Sequence, residues 1–147
     1  MRILKGPTDL ETLEAIQGLS IFKLIELMGK NKSHEPIFDL GINNNALITN
    51  TIDETDKNKN TSLHLAAQFN YPKIVQYLID QGYNIDVVNE SGNTPLTTAT
   101  IHGNIDIVKL LVSNNANLTI IDELGRTALD KAILWKRNDI FEFLTNV

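Results

Sequence analysis

Three histidines, His34, His64 and His102, are the side chains in this sequence best suited to acid–base chemistry or metal binding. A catalytic site would also need a nucleophile or a second acid–base group, held in a pocket by a third residue. No such motif surrounds any of the three histidines. His34-Glu35 lacks the second histidine four residues on that a zinc-protease helix requires. Metal binding is therefore not predicted.

The sequence contains no cysteine, which excludes disulfides, thiolate nucleophiles and zinc sites that use sulfur. This composition is compatible with a reducing compartment, and we expect a cytosolic protein. Gly92 and Gly125 are solitary turn glycines and form no phosphate-binding loop, so no cofactor is predicted. The protein is predicted not to be an enzyme. The alternative is an enzyme whose catalytic site lies within residues 1–55. A pocket that contains groups with perturbed pKa values would support this alternative.

Length and charge limit the other classes of partner. A chain of 147 residues, 42% of them hydrophobic and 21% charged, predicts one globular domain. The net charge is −5 and the basic residues are dispersed, so no nucleic-acid partner is predicted. The apolar stretch 105–112 contains two charged residues and is far shorter than the roughly 20 residues of a membrane-spanning helix. The N-terminus lacks the apolar core of a secretory signal, so no membrane association is predicted.

An internal repeat of fixed period organises the chain from Asp56 onward. Shifting the sequence by 33 superposes five sets of identical residues: Thr61, Thr94, Thr127; Leu63, Leu96, Leu129; Ala66, Ala99, Ala132; Ile74, Ile107, Ile140; and Leu78, Leu111, Leu144. The sequence therefore predicts three repeats, at 56–88, 89–121 and 122–147.

Each repeat is predicted to contain two short antiparallel helices, because its apolar residues recur at i, i+3 and i+4. The aligned threonines stand where a hydroxyl can accept a backbone N–H at a helix start, and Pro95 follows at the first helical position. Gly103, Asn70 and Asn138 are assigned to the connections between paired helices. The β-leaning segments that follow lead through turns to the next helix, which predicts projecting hairpins.

Two segments, Gly92-Asn93-Thr94-Pro95-Leu96 and Thr61-Ser62-Leu63-His64-Leu65-Ala66-Ala67, resemble the ankyrin signature G-x-T-P-L-H-x-A-A. The resemblance covers the chain from Asp56 onward. It implies an all-α solenoid of antiparallel helix pairs with short projecting β-turns or hairpins, which binds another protein through its concave face. It also implies a structural role for His64, as a hydrogen-bonded bridge between repeats. The sequence departs from the family pattern at Lys59, where glycine is usual.

Residues 1–55 do not follow the repeat period. A shift of 50 nevertheless aligns apolar residues there with those of the first repeat, so we interpret residues 1–55 as a divergent capping repeat with an insertion at 31–50. Helices are predicted near 9–17 and 20–29, and the insertion is expected to pack partly on the array. Residues 1–147 are thus predicted to form a single ankyrin-repeat domain.

The family geometry places the ends of the first helices and the turn tips on one side. Two columns of residues spaced by the repeat period are predicted there: Phe69, His102 and Trp135, and beside them Gln68, Ile101 and Leu134. Exposed apolar and aromatic side chains of this kind are candidates for the residues that contribute most binding energy. The alternative is that they pack on one another or under the 31–50 insertion, with Trp135 closing the third repeat.

The turn tips are predicted to add a polar rim that sets partner choice. The rim residues are Lys57, Asn58 and Asn60, then Glu90, Ser91 and Asn93, and finally Glu123, Leu124 and Arg126. The alternative is that these tips are merely solvated.

The sequence therefore predicts a non-catalytic, monomeric module that binds a partner protein. The alternative function is a structural spacer or self-association element that uses Trp135, Phe141 and Phe143.

Overall fold

The computed structural model describes residues 19–30, 48–49 and 54–147. The chain divides into two compact units, residues 1–54 and residues 55–147. Within the described ranges the regular structure consists of seven helices and two strands of two residues each, so the predicted all-α class is confirmed.

The first unit contains the helix α1 (Ile21–Lys30). The strand β1 (Leu19–Ser20) precedes it and pairs in parallel with β2 (Ile48–Thr49). Ser20 Oγ accepts a hydrogen bond from the Lys23 backbone N–H at 3.1 Å, which satisfies one free donor at the helix start. The buried residues of α1 are Ile21, Phe22, Leu24, Ile25 and Met28. Helix α1 confirms the helix predicted near 20–29, whereas the one predicted near 9–17 and most of the insertion lie outside the described residues.

The second unit is a stack of three helix pairs, one in each predicted repeat. The helices are α2 (Ser62–Gln68), α3 (Pro72–Asp80), α4 (Pro95–Ile101), α5 (Ile105–Ser113), α6 (Ala128–Leu134) and α7 (Asn138–Thr145). The two helices of a pair pack against each other, and each also packs on its counterpart in the next repeat. This stacking buries the apolar residues that recur with the repeat period, including Ala66, Ala99, Ala132, Ile74, Ile107 and Ile140.

The first helix of each repeat begins where its threonine predicts. Thr61, Thr94 and Thr127 have extended backbones, and each side chain accepts the backbone N–H three residues on, at 3.4, 3.2 and 3.3 Å respectively. Pro95 occupies the first position of α4, where a missing N–H costs no hydrogen bond. The threonine caps are confirmed.

The short connection inside each helix pair requires one residue with a left-handed backbone. Asn70, Gly103 and Lys136 hold this position, with φ of 63°, 73° and 56°. The assignment of Asn138 to the third connection was wrong, because the repeat period aligns Lys136 with Gly103, and Asn138 is the first residue of α7. Glycine at 103 also leaves room for Arg137, since a Cβ there would lie 3.1 Å from its guanidinium.

Candidate functional site

Each turn tip is closed by one side-chain oxygen at its first residue. Oδ1 of Asp56, Asn89 and Asp122 accepts the backbone N–H groups two and four residues on, at distances between 2.8 and 3.1 Å in all three turns. Asp and Asn favour such turns because their short side chains reach the local backbone. The three tips therefore share one rigid shape that presents the intervening residues outward.

Neighbouring tips are also bonded to each other. The backbone N–H of Glu90 donates to the carbonyl of Asn58 at 2.9 Å, and that of Glu123 donates to Ser91 at 3.3 Å. A Cβ added to Gly92 would lie 3.0 Å from the Cα of Asp122, so the second and third tips stack closely at this point. The predicted rim is thus a continuous row of stacked turns.

Lys59 occupies the turn position that Gly92 and Gly125 hold in the other repeats, and its backbone is equally left-handed, with φ of 60°. A side chain in this conformation costs roughly 1–2 kcal/mol, and the greater freedom of glycine in the unfolded chain offsets part of any gain. We expect Lys59→Gly to raise the free energy of unfolding by about 0.5–1 kcal/mol. Urea denaturation of the full chain measures this. Asn115→Gly is the control: Asn tolerates its φ of 66°, so the gain should be smaller, and equal gains would contradict the explanation.

The structure leaves most of the predicted rim residues accessible. Lys57, Asn58, Glu90, Ser91, Glu123 and Leu124 are exposed, while Asn60, Asn93 and Arg126 are partly buried. Asn60 has a framework role, because its Nδ2 donates to Asp56 Oδ2 at 3.0 Å and its Oδ1 accepts from Asn89 Nδ2 at 2.8 Å. The exposed members of the rim are those whose side chains a partner can reach.

His64 bridges the first two repeats, as its register implies. Its Nδ1 accepts the Thr61 backbone N–H at 3.1 Å, so the ring proton is on Nε2, which donates to the carbonyl of Asn93 at 2.8 Å. The ring is fully buried. Burial lowers the pKa of His64 below its usual 6.5, although the hydrogen bond to Asn93 and the charge of Asp56 act in the opposite direction. The structural role of this histidine is confirmed.

A buried ion pair supports the third turn. Lys131 Nζ lies 2.7 Å from Asp122 Oδ2, and both residues are less than one-tenth exposed. The hydrogen bond from Lys131 and those from the Arg126 and Leu124 backbones outweigh burial and lower the pKa of Asp122 to about 2. Sequence reasoning missed this pair. The available signal was a lysine at a register position that holds Leu65 and Thr98 in the other repeats.

The two predicted columns lie where the first helices end. Gln68, Ile101 and Leu134 are the last residues of α2, α4 and α6, and Phe69, His102 and Trp135 are the residues that cap them. Because these helices stack on one another, each column is a row that crosses the three repeats. We name the two columns and the turn tips, which the sequence predicts to lie on one side, the lateral face.

Side chains from the following repeat hold the ends of these helices in place. Asn104 Nδ2 donates to the carbonyl of Ala67 at 2.8 Å, and Arg137 donates to the carbonyl of Ile101 through Nη2 at 2.8 Å and Nε at 3.1 Å. These contacts satisfy carbonyls that a helix end leaves without partners. The lateral face is therefore positioned by inter-repeat hydrogen bonds as well as by packing.

Exposure along the columns rises toward the third repeat. Gln68, Phe69 and Ile101 are partly buried, whereas Leu134 is 53% exposed and Trp135 is 50% exposed. The Phe69 ring packs near that of Tyr71, with centroids 6.2 Å apart. About half of the Trp135 surface is therefore accessible. The alternative that the columns pack under the 31–50 insertion involves residues that lie largely outside the described ranges.

Charge changes sign along the row of turn tips. The first tip carries the exposed Lys57 and Lys59, while the second and third carry the exposed Glu90 and Glu123. Arg126 adds one partly buried cation at the third tip. The lateral face thus combines an uneven electrostatic rim with apolar area near its third repeat.

The described residues offer no group of three or more His, Asp or Glu side chains that could hold a metal ion. None of the helices in the described ranges has the length and apolar character needed to cross a bilayer. The lateral face offers a binding partner a defined shape, apolar area and charge.

A family model described as ankyrin repeats matches residues 27–89 and 63–147, in three copies. No match was found among curated proteins.

Proposed function

The chain belongs to the ankyrin repeat family, and we propose that it binds a partner protein through its lateral face. Ankyrin repeats are in general protein–protein interaction modules, typically without catalytic activity. The observation that carries the proposal is the exposed apolar area at the helix ends, where Leu134 and Trp135 are each about half accessible. Large aromatic side chains contribute a disproportionate share of binding energy in protein interfaces.

The mechanism is presentation of a rigid surface. The hydrogen bonds within and between the turn tips fix the shape of the rim before a partner arrives, so little ordering entropy is lost on binding. The charge change from Lys57 to Glu90 and Glu123 favours a partner with the opposite order of charges. Such charges affect the rate of association and the choice of partner more than affinity, so we expect the association rate to fall with added salt.

A capture experiment tests the proposal. The wild-type chain and a Phe69→Ala/Trp135→Ala variant are compared as baits, after circular dichroism and thermal unfolding show equal folding. The captured protein is identified, purified and titrated against both baits. We expect the variant to bind about 10- to 100-fold more weakly, because it removes two aromatic contacts.

Val88→Ala/Ile121→Ala is the matched control. Val88 and Ile121 are large apolar residues, 47% and 57% exposed, at equivalent positions outside both columns. This variant truncates two exposed apolar side chains outside the columns and should bind like the wild type. Equal weakening by the two variants would show that the binding surface is not the predicted columns.

Two further predictions from the sequence stay predictions: the capping role of residues 1–55 within a single domain, and the cytosolic location.

A further inference from the structure

The third repeat has a second apolar surface, on the side of α6 and α7 that faces away from α4 and α5. Two register positions are fully buried in both the first and the second repeat. Ala67 and Thr100 hold the first position, and Val75 and Val108 hold the second. Asn104 of the second repeat donates to the Ala67 carbonyl, so the chain at the first of these positions is in contact with the following repeat. The equivalent residues of the third repeat, Ile133 and Phe141, are 58% and 37% exposed. We name this surface the far face.

Ile133 and Phe141 lie together in a groove of about 350 Å³, which Ala132, Lys136 and Asn138 also line. An exposed apolar groove of this kind marks an interaction surface. Its residues differ from those between the repeats, because isoleucine replaces Ala67 and Thr100, and phenylalanine replaces valine. Close-packed interfaces do not accept such enlargement without rearrangement. The far face is therefore not shaped to receive another repeat in the same geometry.

Two exposed residues of opposite charge flank Ile133 along the chain, Asp130 in the first turn of α6 and Lys136 just beyond its end. Asp130 lies three residues before Ile133 and Lys136 three residues after it. Asp130 occupies the register position of His64, whose ring reaches the next repeat, so it belongs to the same side of α6. Lys136 lines the groove itself. The far face therefore carries a negative charge on one side of the apolar Ile133 and a positive charge on the other.

We propose that the far face binds the far face of a second copy of this chain. A two-fold axis near Ile133, perpendicular to α6, sets the two α6 helices antiparallel. Ile133 then meets its own counterpart, and each Asp130 lies opposite a Lys136 of the other copy. Such an interface is self-complementary, as a two-fold dimer requires. The proposal departs from the monomer predicted from the sequence and is independent of partner binding at the lateral face.

Sedimentation equilibrium of the full chain over a range of concentrations tests the dimer. We expect the mass to rise from 16.4 kDa toward twice that value, and Ile133→Asp to weaken the dimer roughly hundredfold, since it places two carboxylates at an apolar centre. Ile121→Asp is the matched control, because Ile121 is equally exposed but lies outside the far face. It should dimerise like the wild type.

A charge exchange tests the antiparallel arrangement. Lys136→Glu and Asp130→Lys each create like-charge contacts in their own homodimers and should each weaken self-association about tenfold. An equimolar mixture of the two variants restores both attractive contacts and should form a heterodimer. Circular dichroism verifies that Asp130→Lys, which also alters a helix cap, remains folded.

A wild-type chain that stays monomeric at all concentrations would overturn the proposal. Equal loss of dimer in Ile133→Asp and Ile121→Asp would place the dimer interface elsewhere. Failure of the mixed variants to associate, with the wild type dimeric, would refute the antiparallel pairing.

Discussion

Replacement of Asp122 by asparagine should lower the free energy of unfolding by about 3 kcal/mol, a large fraction of the stability of a small domain. Asparagine can still accept the two backbone N–H groups of the turn, as Asn89 does in the second repeat. The loss comes from Lys131, whose ammonium group would remain almost buried without its counter-charge. Urea denaturation at neutral pH measures the change.

The second repeat indicates which second substitution should restore the stability of this variant. It combines Asn89 with Thr98, at the register positions of Asp122 and Lys131, and therefore needs no ion pair. We expect Asp122→Asn/Lys131→Thr to recover most of the lost stability, because no charge is then left buried. A double variant as unstable as the single one would show that the charge of Lys131 is not the cause.

Asn93 should give both variants a partly compensating gain. Its Oδ1 is buried and has no hydrogen-bond partner among the described residues. In the preceding turn the equivalent atom, Asn60 Oδ1, accepts from Asn89 Nδ2 at 2.8 Å. Aspartate at 122 has no donor to offer, whereas asparagine would place an amide at the register position that serves Asn60. A buried acceptor that gains a donor is stabilised by roughly 1 kcal/mol or more.

The ion pair also determines how the free energy of unfolding changes in acid. The pKa of Asp122 is about 2 in the folded protein, below its ordinary value of 3.8. As the pH falls, this carboxylate therefore binds a proton in the unfolded chain before it does so in the folded protein. The pair's contribution is therefore complete above pH 3.8 and is lost between pH 3.8 and about 2, a loss of about 2 kcal/mol. The double variant should lack this component of the acid dependence. Identical acid profiles would contradict the assignment.

The helical framework could be predicted because its signals are local and repeated. A threonine before each first helix and apolar residues at helical spacing recur in every repeat, so three independent copies support each assignment. The misplaced connection at Asn138 shows the limit of residue types as a guide. Asparagine is the more usual left-handed residue, but the register assigns the position to Lys136, and tertiary packing overrides the local preference.

The candidate site was less predictable, since exposure depends on what packs beside a residue. Sequence identifies the column that contains Trp135 but not that half of its surface is accessible. The sequence predicts Phe141, but not Ile133, as part of a self-association element. The structure adds that both residues are exposed at positions where the first two repeats bury their residues completely.

His64→Thr should lower the free energy of unfolding at neutral pH by about 2 kcal/mol, the combined effect of a lost hydrogen bond and lost packing. The variant reproduces the second repeat, where Thr97 holds this position and bonds Thr94 at 3.1 Å. It loses the hydrogen bond to the Asn93 carbonyl and leaves space where a fully buried ring had packed. Thermal or urea denaturation beside the wild type measures the loss.

The same residue predicts how stability changes near neutral pH. His64 Nδ1 accepts a backbone N–H, and burial lowers the pKa of the ring below 6.5, so the unfolded chain binds a proton at a pH where the folded one does not. Stability is then complete above pH 6.5 and falls as the pH decreases below it. His64→Thr removes this dependence, so the difference between the two proteins should shrink from pH 7.5 to pH 5.5. Val108→Ala, which truncates a fully buried side chain without a titrating group, should differ from the wild type by a constant amount over this range. A constant difference for His64→Thr as well would contradict a buried neutral ring whose Nδ1 accepts the Thr61 backbone N–H.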